Sequence, residues 1–168
     1  MQSILHPHII DFLSIIADKK QCILMPLLPG NLSQIPKISI DIAEKMWNQI
    51  GSALVHLHKL KIVHLNIESA NIGIDNGNFI LIDLESALNF DKQTETTSIT
   101  HKYVPSDLNI TVAKPIIDWW MLLVVIQEKL NLIKLEEDII CLKLIQNIEA
   151  KSPTSTLPDK IVKRFLRL

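Results

Sequence analysis

Two stretches decide what this chain folds into: HLNIESAN at residues 64–71 and IDLE at residues 82–85. The dipeptide Asn-Gly at residues 76–77 lies between them, flanked by short apolar runs. It predicts a β-hairpin, because both of its residues tolerate positive φ. Asn71 ends the first stretch just before this hairpin, and Asp83 follows the hairpin after a short apolar run. Taken alone, Asp83 also fits an ordinary carboxylate at the end of a strand.

Upstream of these stretches, the apolar pattern predicts a long amphipathic helix. From Asp41 to about Leu60, apolar residues recur at steps of three and four. Ser39 or Asp41 is expected to cap its first turn, since either side chain can accept hydrogen bonds from free backbone N–H groups. Nearer the start, apolar runs at residues 9–16 and 21–25 flank a polar turn and predict two adjacent strands joined as a hairpin.

Downstream, a polar segment precedes several helical patterns. Residues 89–111 are polar and lack a sustained period, so a long surface segment is expected there. Residues 116–130 are strongly apolar and predict a buried core helix. Further helices are predicted over residues 135–150 and from about residue 158 to the end of the chain.

Composition and charge exclude several classes of protein. Of 168 residues, 48% are hydrophobic and 21% are charged, which predicts one packed domain rather than a disordered tail. A net charge of −1 argues against a role on nucleic acid or on a membrane surface. The apolar stretch 116–126 contains Asp118 and is shorter than the about 20 residues that span a membrane. Cys22 and Cys141 lie far apart, and we expect reduced thiols in an intracellular, cytoplasmic protein.

Several of these strings, in this order, resemble the signatures of a eukaryotic-type protein kinase domain of the Ser/Thr-like kind. Residues 64–71 are similar to the catalytic loop H-R-D-L-x-x-x-N, and Asp83 begins a counterpart of D-F-G. Residues 57–64 resemble the family's L-H-x-x-x-I-V-H, and residues 6–10 resemble its H-P-N-I-V. Residues 118–120 resemble the D-x-W that opens the central helix of the large lobe.

The resemblance implies an α+β, protein-kinase-like fold. It would consist mainly of the α-helical large lobe, with a remnant of the small-lobe β-sheet and the hinge. The chain would then be one partial kinase-like domain over residues 1–168. Residues 1–30 would form the small-lobe remnant and hinge, and residues 31–168 the helical large lobe. Because the sequence lacks the family's glycine-rich loop and strand lysine, the domain is expected to be truncated at its N-terminus.

The catalytic and metal positions implied by the resemblance match an active kinase only in part. Asn66 stands in place of the catalytic aspartate, and an amide cannot accept a proton at neutral pH. Glu68 stands in place of a lysine that faces the transferring phosphate, and it adds repulsion there. Asn71 and Asp83 match the two magnesium positions, and their oxygens are suitable hard ligands.

Other implied positions concern adenine binding and the shape of the loop. Met25 would be the gatekeeper and Leu27 part of the hinge, on the adenine side. His64 would pack beneath the catalytic loop, and Asp118 would accept hydrogen bonds from the loop backbone. The chain has only four glycines, none spaced to cradle a phosphate. Mg-ATP binding is therefore expected to be weak or absent, and the fold should need no cofactor.

The leading functional hypothesis is a pseudokinase that acts by binding a protein partner, either a kinase or a kinase substrate. A divergent, weakly active Ser/Thr protein kinase is one alternative, and a fragment of a longer kinase is another. No nucleic acid is expected as a partner. Residues 103–107 are only loosely similar to the family's Y-x-A-P-E. His6 and His8 have the spacing of a metal-binding pair, but the sequence offers no third ligand, so no metal site is expected there.

Overall fold

The computed structural model describes residues 4–17, 21–94, 99, 101–104 and 110–130, and this part of the chain is an α+β fold. Short strands and turns surround two α-helices. The elements, in chain order, are β1 (Ser14–Ala17), β2 (Gln21–Leu24), β3 (Gly30–Asn31), α1 (Ile40–Lys59), β4 (Ile62–Val63), β5 (Ile72–Asp75), β6 (Asn78–Leu81), β7 (Leu88–Asn89) and α2 (Pro115–Lys129).

The strands form three small antiparallel sheets. β1 pairs with β2, β4 pairs with β7, and β3, β5 and β6 form the third sheet in that order. The predicted hairpin between β5 and β6 is present, with φ of 47° at Asn76 and 73° at Gly77. The predicted pairing of β1 with β2 is also present, and the turn that joins them lies outside the described residues. The hairpin of β5 and β6 is therefore confirmed, and so is the antiparallel pairing of β1 with β2.

Helix α1 occupies residues Ile40–Lys59, within one residue of the predicted bounds. Of the two capping candidates, Ser39 is the N-cap, and its side chain accepts from the Ile42 backbone N–H at 3.4 Å. The apolar face of the helix is buried from Ala43 to Leu57, as the period predicts, whereas Ile42 in the first turn is 43% exposed. Its largest buried members are Met46, Trp47, Ile50, Leu54 and Leu57.

Helix α2 is the buried core helix that the sequence predicts, and it begins at Pro115. Proline suits this first position because its fixed φ fits a helix and its missing N–H would have no partner within the helix. Trp119 packs against α1, where a Cβ on Gly51 would lie only 3.3 Å from its ring. Glycine at this position lets the two helices approach closely.

The C-terminal end of α2 is tied to the segment that leads into α1. Lys129 is buried, and its Nζ donates a hydrogen bond of 2.8 Å to the carbonyl of Ile35. The backbone carbonyl of Lys129 in turn accepts from the N–H of Ile38 at 3.1 Å. One residue therefore contacts this segment through both its side chain and its backbone.

Two expectations differ from the structure. Residues 9–13 do not extend β1: Ile9 instead forms a parallel bridge with Leu81, because it buries its side chain against the core there. The polar segment 89–111 is also not all at the surface, since its described part contains the buried side chains of Thr94 and Tyr103. Long-range contacts outweigh the local pattern at both places.

Some predicted features lie outside the described residues, namely the helices over 135–150 and beyond 158, and the carboxylate of Asp107. Within the residues that the structure describes, neither helix is both long enough and apolar enough to cross a membrane.

Candidate functional site

The loop over residues 64–71 is held by the side chain of Asp118, which is completely buried. Its Oδ1 accepts from the backbone N–H of Leu65 at 2.8 Å, and its Oδ2 accepts from that of His64 at 2.9 Å. Oδ2 also lies 2.9 Å from Nε2 of His58, which donates to it. These hydrogen bonds offset the cost of burying a carboxylate and fix the start of the loop on α2.

His64 is fully buried, and both of its ring nitrogens are used. Nε2 lies 3.1 Å from the carbonyl of Ile82, which can only accept, so Nε2 carries the proton. Nδ1 then accepts from the backbone N–H of Asn66 at 3.3 Å. Burial lowers the pKa of His64 below its ordinary value, and the carboxylate of Asp118 opposes this shift only in part. The neutral ring thus joins the loop to the strand end before Asp83.

The backbone turns sharply at two positions of the site. Leu65 has φ of 66° and Asp83 has φ of 63°, and residues other than glycine seldom adopt this backbone conformation. The bond from the Leu65 N–H to Asp118 stabilises the first turn. At the second turn, Oδ1 of Asp83 accepts from the N–H of Glu85 at 3.3 Å. The turn at Asp83 therefore forms although Glu85 replaces the family's glycine.

The structure brings Asn66, Asn71 and the strand end at Ile82 together. Nδ2 of Asn71 donates to the backbone carbonyl of Asn66 at 3.0 Å. The carbonyl of Asn71 accepts from the N–H of Ile82 at 3.0 Å, which places Asn71 beside the residue that precedes Asp83. Asn71 is buried, whereas the Asp83 side chain is half-buried. Because the Asn71 nitrogen is bonded to the loop, its oxygen is the atom left to serve as a metal ligand.

Glu68 lies within the same loop and is half-buried. It precedes a short 3₁₀ turn, Ser69–Asn71, and its backbone carbonyl accepts from the N–H of Asn71 at 2.9 Å. Its side chain forms no capping hydrogen bond to that turn. The loop thus places a carboxylate only two residues from Asn66, where the family has a cation.

Met25 and Leu27 lie on the connector between β2 and β3, away from the loop in sequence. Met25 is 40% exposed, and Leu27 is almost completely exposed at 97%. Their adenine-side role remains a prediction.

The described start of the segment resembling Y-x-A-P-E is anchored to α2. The Tyr103 hydroxyl donates to Glu128 at 2.9 Å, and Lys102 forms an ion pair with the same carboxylate at 2.8 Å. The hydrogen bond from Lys102 lowers the pKa of Glu128, and burial raises the pKa of Tyr103. Sequence reasoning missed this cluster, because nothing in the local pattern links Glu128 to residues 102–103.

His56 of α1 forms a second group with His6 and His8, which the sequence did not predict. His6 stacks on His56, with ring centroids 5.2 Å apart, and His8 lies 5.8 Å from His6. The described residues nevertheless contain no group of three His, Cys, Asp or Glu side chains that could hold a metal ion. Only the spacing of His6 and His8 hinted at this group in the sequence.

The fold and the loop geometry are those of a kinase-like domain, and a comparison with protein families agrees. The family model of the protein kinase domain matches residues 1–155. The chain therefore belongs to the protein kinase family. No curated protein matches the chain.

The buried neutral state of His64 predicts a loss of stability in acid. Because its pKa is lowered in the fold, the unfolded chain takes up a proton near pH 6.5 that the folded chain does not. The stabilisation is complete above about pH 6.5 and declines as the pH falls towards the folded pKa, below which it levels off. We expect His64→Gln to be less stable than the unchanged chain at about pH 7.5. Between about pH 7.5 and about pH 5.5, its free energy of unfolding should fall by less than that of the unchanged chain.

Urea unfolding of both proteins at the two pH values measures this effect. His6→Gln is the matched control, because burial and the neighbouring His56 and His8 lower the pKa of His6 as well, but His6 is only half-buried. His6→Gln should change the pH dependence of the free energy of unfolding less than His64→Gln does. An unchanged pH dependence in His64→Gln would contradict the prediction.

Proposed function

We propose that this member of the protein kinase family is a pseudokinase, a protein that keeps the shape of the catalytic loop without transferring phosphate. The observation that carries the proposal is Asn66. Its backbone N–H is bonded to His64 and its backbone carbonyl to Asn71, yet its side chain is an amide. An amide has no lone pair basic enough to accept the proton of a substrate hydroxyl.

Glu68 supports the same proposal through its charge. In the family, a lysine at this position would stabilise the negative charge of the transferring phosphoryl group. A carboxylate there repels the same charge, so both changes in the loop act in one direction. Both arguments rest on the chemistry of residues within the loop itself.

A binding role is supported by exposed apolar side chains just before β1, in β2 and in the following connector. Leu13 is 58% exposed, Ile23 is 55% exposed and Leu27 is 97% exposed. Exposed apolar surface of this kind is typical of protein interaction sites. We therefore propose that the chain binds a protein partner inside the cell, a kinase or a kinase substrate.

The second candidate is a divergent, weakly active Ser/Thr protein kinase, which the pair of Asn71 and Asp83 favours. Their oxygens would hold Mg²⁺ as an amide and a carboxylate, and the ion would offset charge on the phosphates of ATP. We propose that Mg-ATP binds weakly if at all, because Glu68 opposes the phosphates.

The purified chain is expected to transfer no phosphate from radiolabelled ATP to a generic protein substrate. The physical reason is the missing base at Asn66 together with the charge of Glu68. Asp83→Ala is the matched control, since it removes the metal carboxylate, and its signal should equal that of the unchanged chain. Circular dichroism of both proteins confirms that they are folded.

If the unchanged chain transferred phosphate and Asp83→Ala abolished that transfer, the pseudokinase proposal would be overturned in favour of the weak kinase. Melting temperatures with and without Mg-ATP test the ligand separately. We expect no rise for either protein. A rise that Asp83→Ala removes would contradict weak Mg-ATP binding and leave the proposed lack of transfer standing.

A further inference from the structure

A cleft of about 450 Å³ opens on α1, and no residue of the 64–71 loop lines it. Its floor is formed by Gly51, Ser52 and Val55 of α1. Its polar lining comes from His56 and Lys59 of the same helix and from His6 of the segment that precedes β1. None of these lining side chains is a carboxylate.

The position of His6 is fixed by its neighbours. Its Nδ1 accepts from the backbone N–H of His8 at 3.1 Å, so in the neutral ring the proton is on Nε2. The backbone of His8 is anchored in turn, because its carbonyl accepts from the N–H of Leu81 at 2.9 Å. His6 therefore presents an N–H donor from an ordered segment.

Helix electrostatics account for only part of this arrangement. His56 and Lys59 belong to the last turn of α1, where cations are favoured by the helix dipole. His6 belongs to a different element, and the dipole gives it no reason to stack on His56 at 5.2 Å. The ammonium group of Lys59 and the two imidazole rings line one cleft that has no carboxylate in its lining, so an anion placed there would meet a positive charge and hydrogen-bond donors. Burial is the main cause that lowers the pKa of His6, and the neighbouring His56 and His8 lower it further, so an anion in the cleft would favour the charged form of this ring.

We propose that this cleft binds a phosphoryl group, either as inorganic phosphate or as the phosphate of a monoester. Lys59 supplies an ammonium group, and His6 and His56 supply imidazole donors. Charge-assisted hydrogen bonds from such groups to phosphate oxygens are stronger than hydrogen bonds between neutral groups. The apolar part of the floor at Gly51 and Val55 leaves room for the group that carries the phosphate. The site is separate from the loop and does not depend on the proposed pseudokinase function.

Binding of phosphoserine should tighten as the pH falls below about 6.5, where His6 begins to gain a proton because its pKa is lowered, while a phosphate monoester with a second pKa of about 6 still carries more than one negative charge. The titratable groups that face the cleft or its lining are His6 and His8 from the first segment, and His56 and Lys59 from α1. β6 contributes the Phe79 carbonyl, which accepts from Nδ1 of His8. The expected strengthening is about tenfold, the effect of one charge-assisted hydrogen bond.

The test follows the histidine ring resonances of the whole chain by NMR during titration with phosphate or phosphoserine, at constant ionic strength in chloride. We expect saturable shifts of the His6 and His56 resonances at concentrations on the order of 1–10 mM. Lys59→Gln should weaken binding about tenfold. Lys45→Gln removes the same charge from the same helix outside the cleft lining, and it should change nothing.

Each outcome decides the proposal. Tighter binding of phosphoserine than of phosphate supports a monoester as the ligand, and equal binding supports the phosphoryl group alone. Absence of saturable shifts, or equal weakening by Lys59→Gln and Lys45→Gln, would overturn it. Because Lys59 is exposed, its replacement should leave the fold intact. His56→Gln, checked by its melting curve, gives a second variant with the same expected loss.

Discussion

Replacing Asp118 with asparagine is expected to lower the free energy of unfolding by about 3 kcal/mol. The carboxylate accepts hydrogen bonds on both oxygens, from Leu65 on Oδ1 and from His64 and His58 on Oδ2. An amide of the same shape has one oxygen and one NH₂ group. Whichever way it is oriented, the NH₂ group faces a buried N–H donor, which is left without an acceptor.

Urea unfolding measures the loss, and Asp91→Asn is the matched control. Asp91 is exposed and has φ of 62°, a conformation that asparagine tolerates well. The control should change the free energy of unfolding by no more than about 0.5 kcal/mol. Equal effects of the two substitutions would contradict the role of Asp118 in holding the loop. A loss confined to Asp118→Asn would support it.

Trp119→Ala is expected to cost about 3–5 kcal/mol, the usual range for removing a large buried aromatic side chain. Trp119 is 1% exposed, and its ring lies 5.4 Å from that of Trp47 and 6.2 Å from that of His58. Because Gly51 has no side chain to move into the space, the cavity between α1 and α2 would stay largely open. Thermal and urea unfolding measure the loss.

Trp119→Phe is the matched control for packing. Its cost should be smaller, about 1–2 kcal/mol, because most of the aromatic ring remains. The indole Nε1 is buried and has no acceptor among the described residues. Phenylalanine therefore removes a donor that is unpaired within this part of the chain, which offsets part of the lost packing. If Phe and Ala were equally destabilising, packing of the aromatic ring would not explain the loss, and the prediction would be wrong.

The elements predicted from the sequence were those with strong local signals. The apolar period and Ser39 located α1 to within a residue, and the Asn76-Gly77 dipeptide located the hairpin of β5 and β6. In each case the determining interactions lie within a few residues along the chain. A single sequence carries such interactions in its local order of residues.

The pairings that the sequence did not predict join distant residues. The bridge between Ile9 and Leu81 and the pairing of β3 with β5 depend on how the chain packs around α1. The burial of Tyr103 inside a polar segment has the same origin. Local polarity describes the segment, but a tertiary hydrogen bond to Glu128 decides where its tyrosine lies.

The candidate site was accessible only through the resemblance to the protein kinase family. Nothing local in the sequence connects Asp118 to His64 and Leu65, although the structure joins them by hydrogen bonds. The bond between Asn71 and the Asn66 carbonyl is likewise a contact of the folded loop. The chemical inference about Asn66 was nevertheless possible from the sequence, because an amide lacks a basic lone pair in any fold.

The double contact of Lys129 has a consequence for how this domain opens. The side chain of Lys129 bonds to Ile35 and its carbonyl bonds to Ile38, so the last turn of α2 and the chain leading into α1 separate only if both bonds break together. Amide hydrogens at this corner should then exchange with solvent in one cooperative event rather than by independent fraying. The start of one core helix and the end of the other thus belong to a single unit of local unfolding.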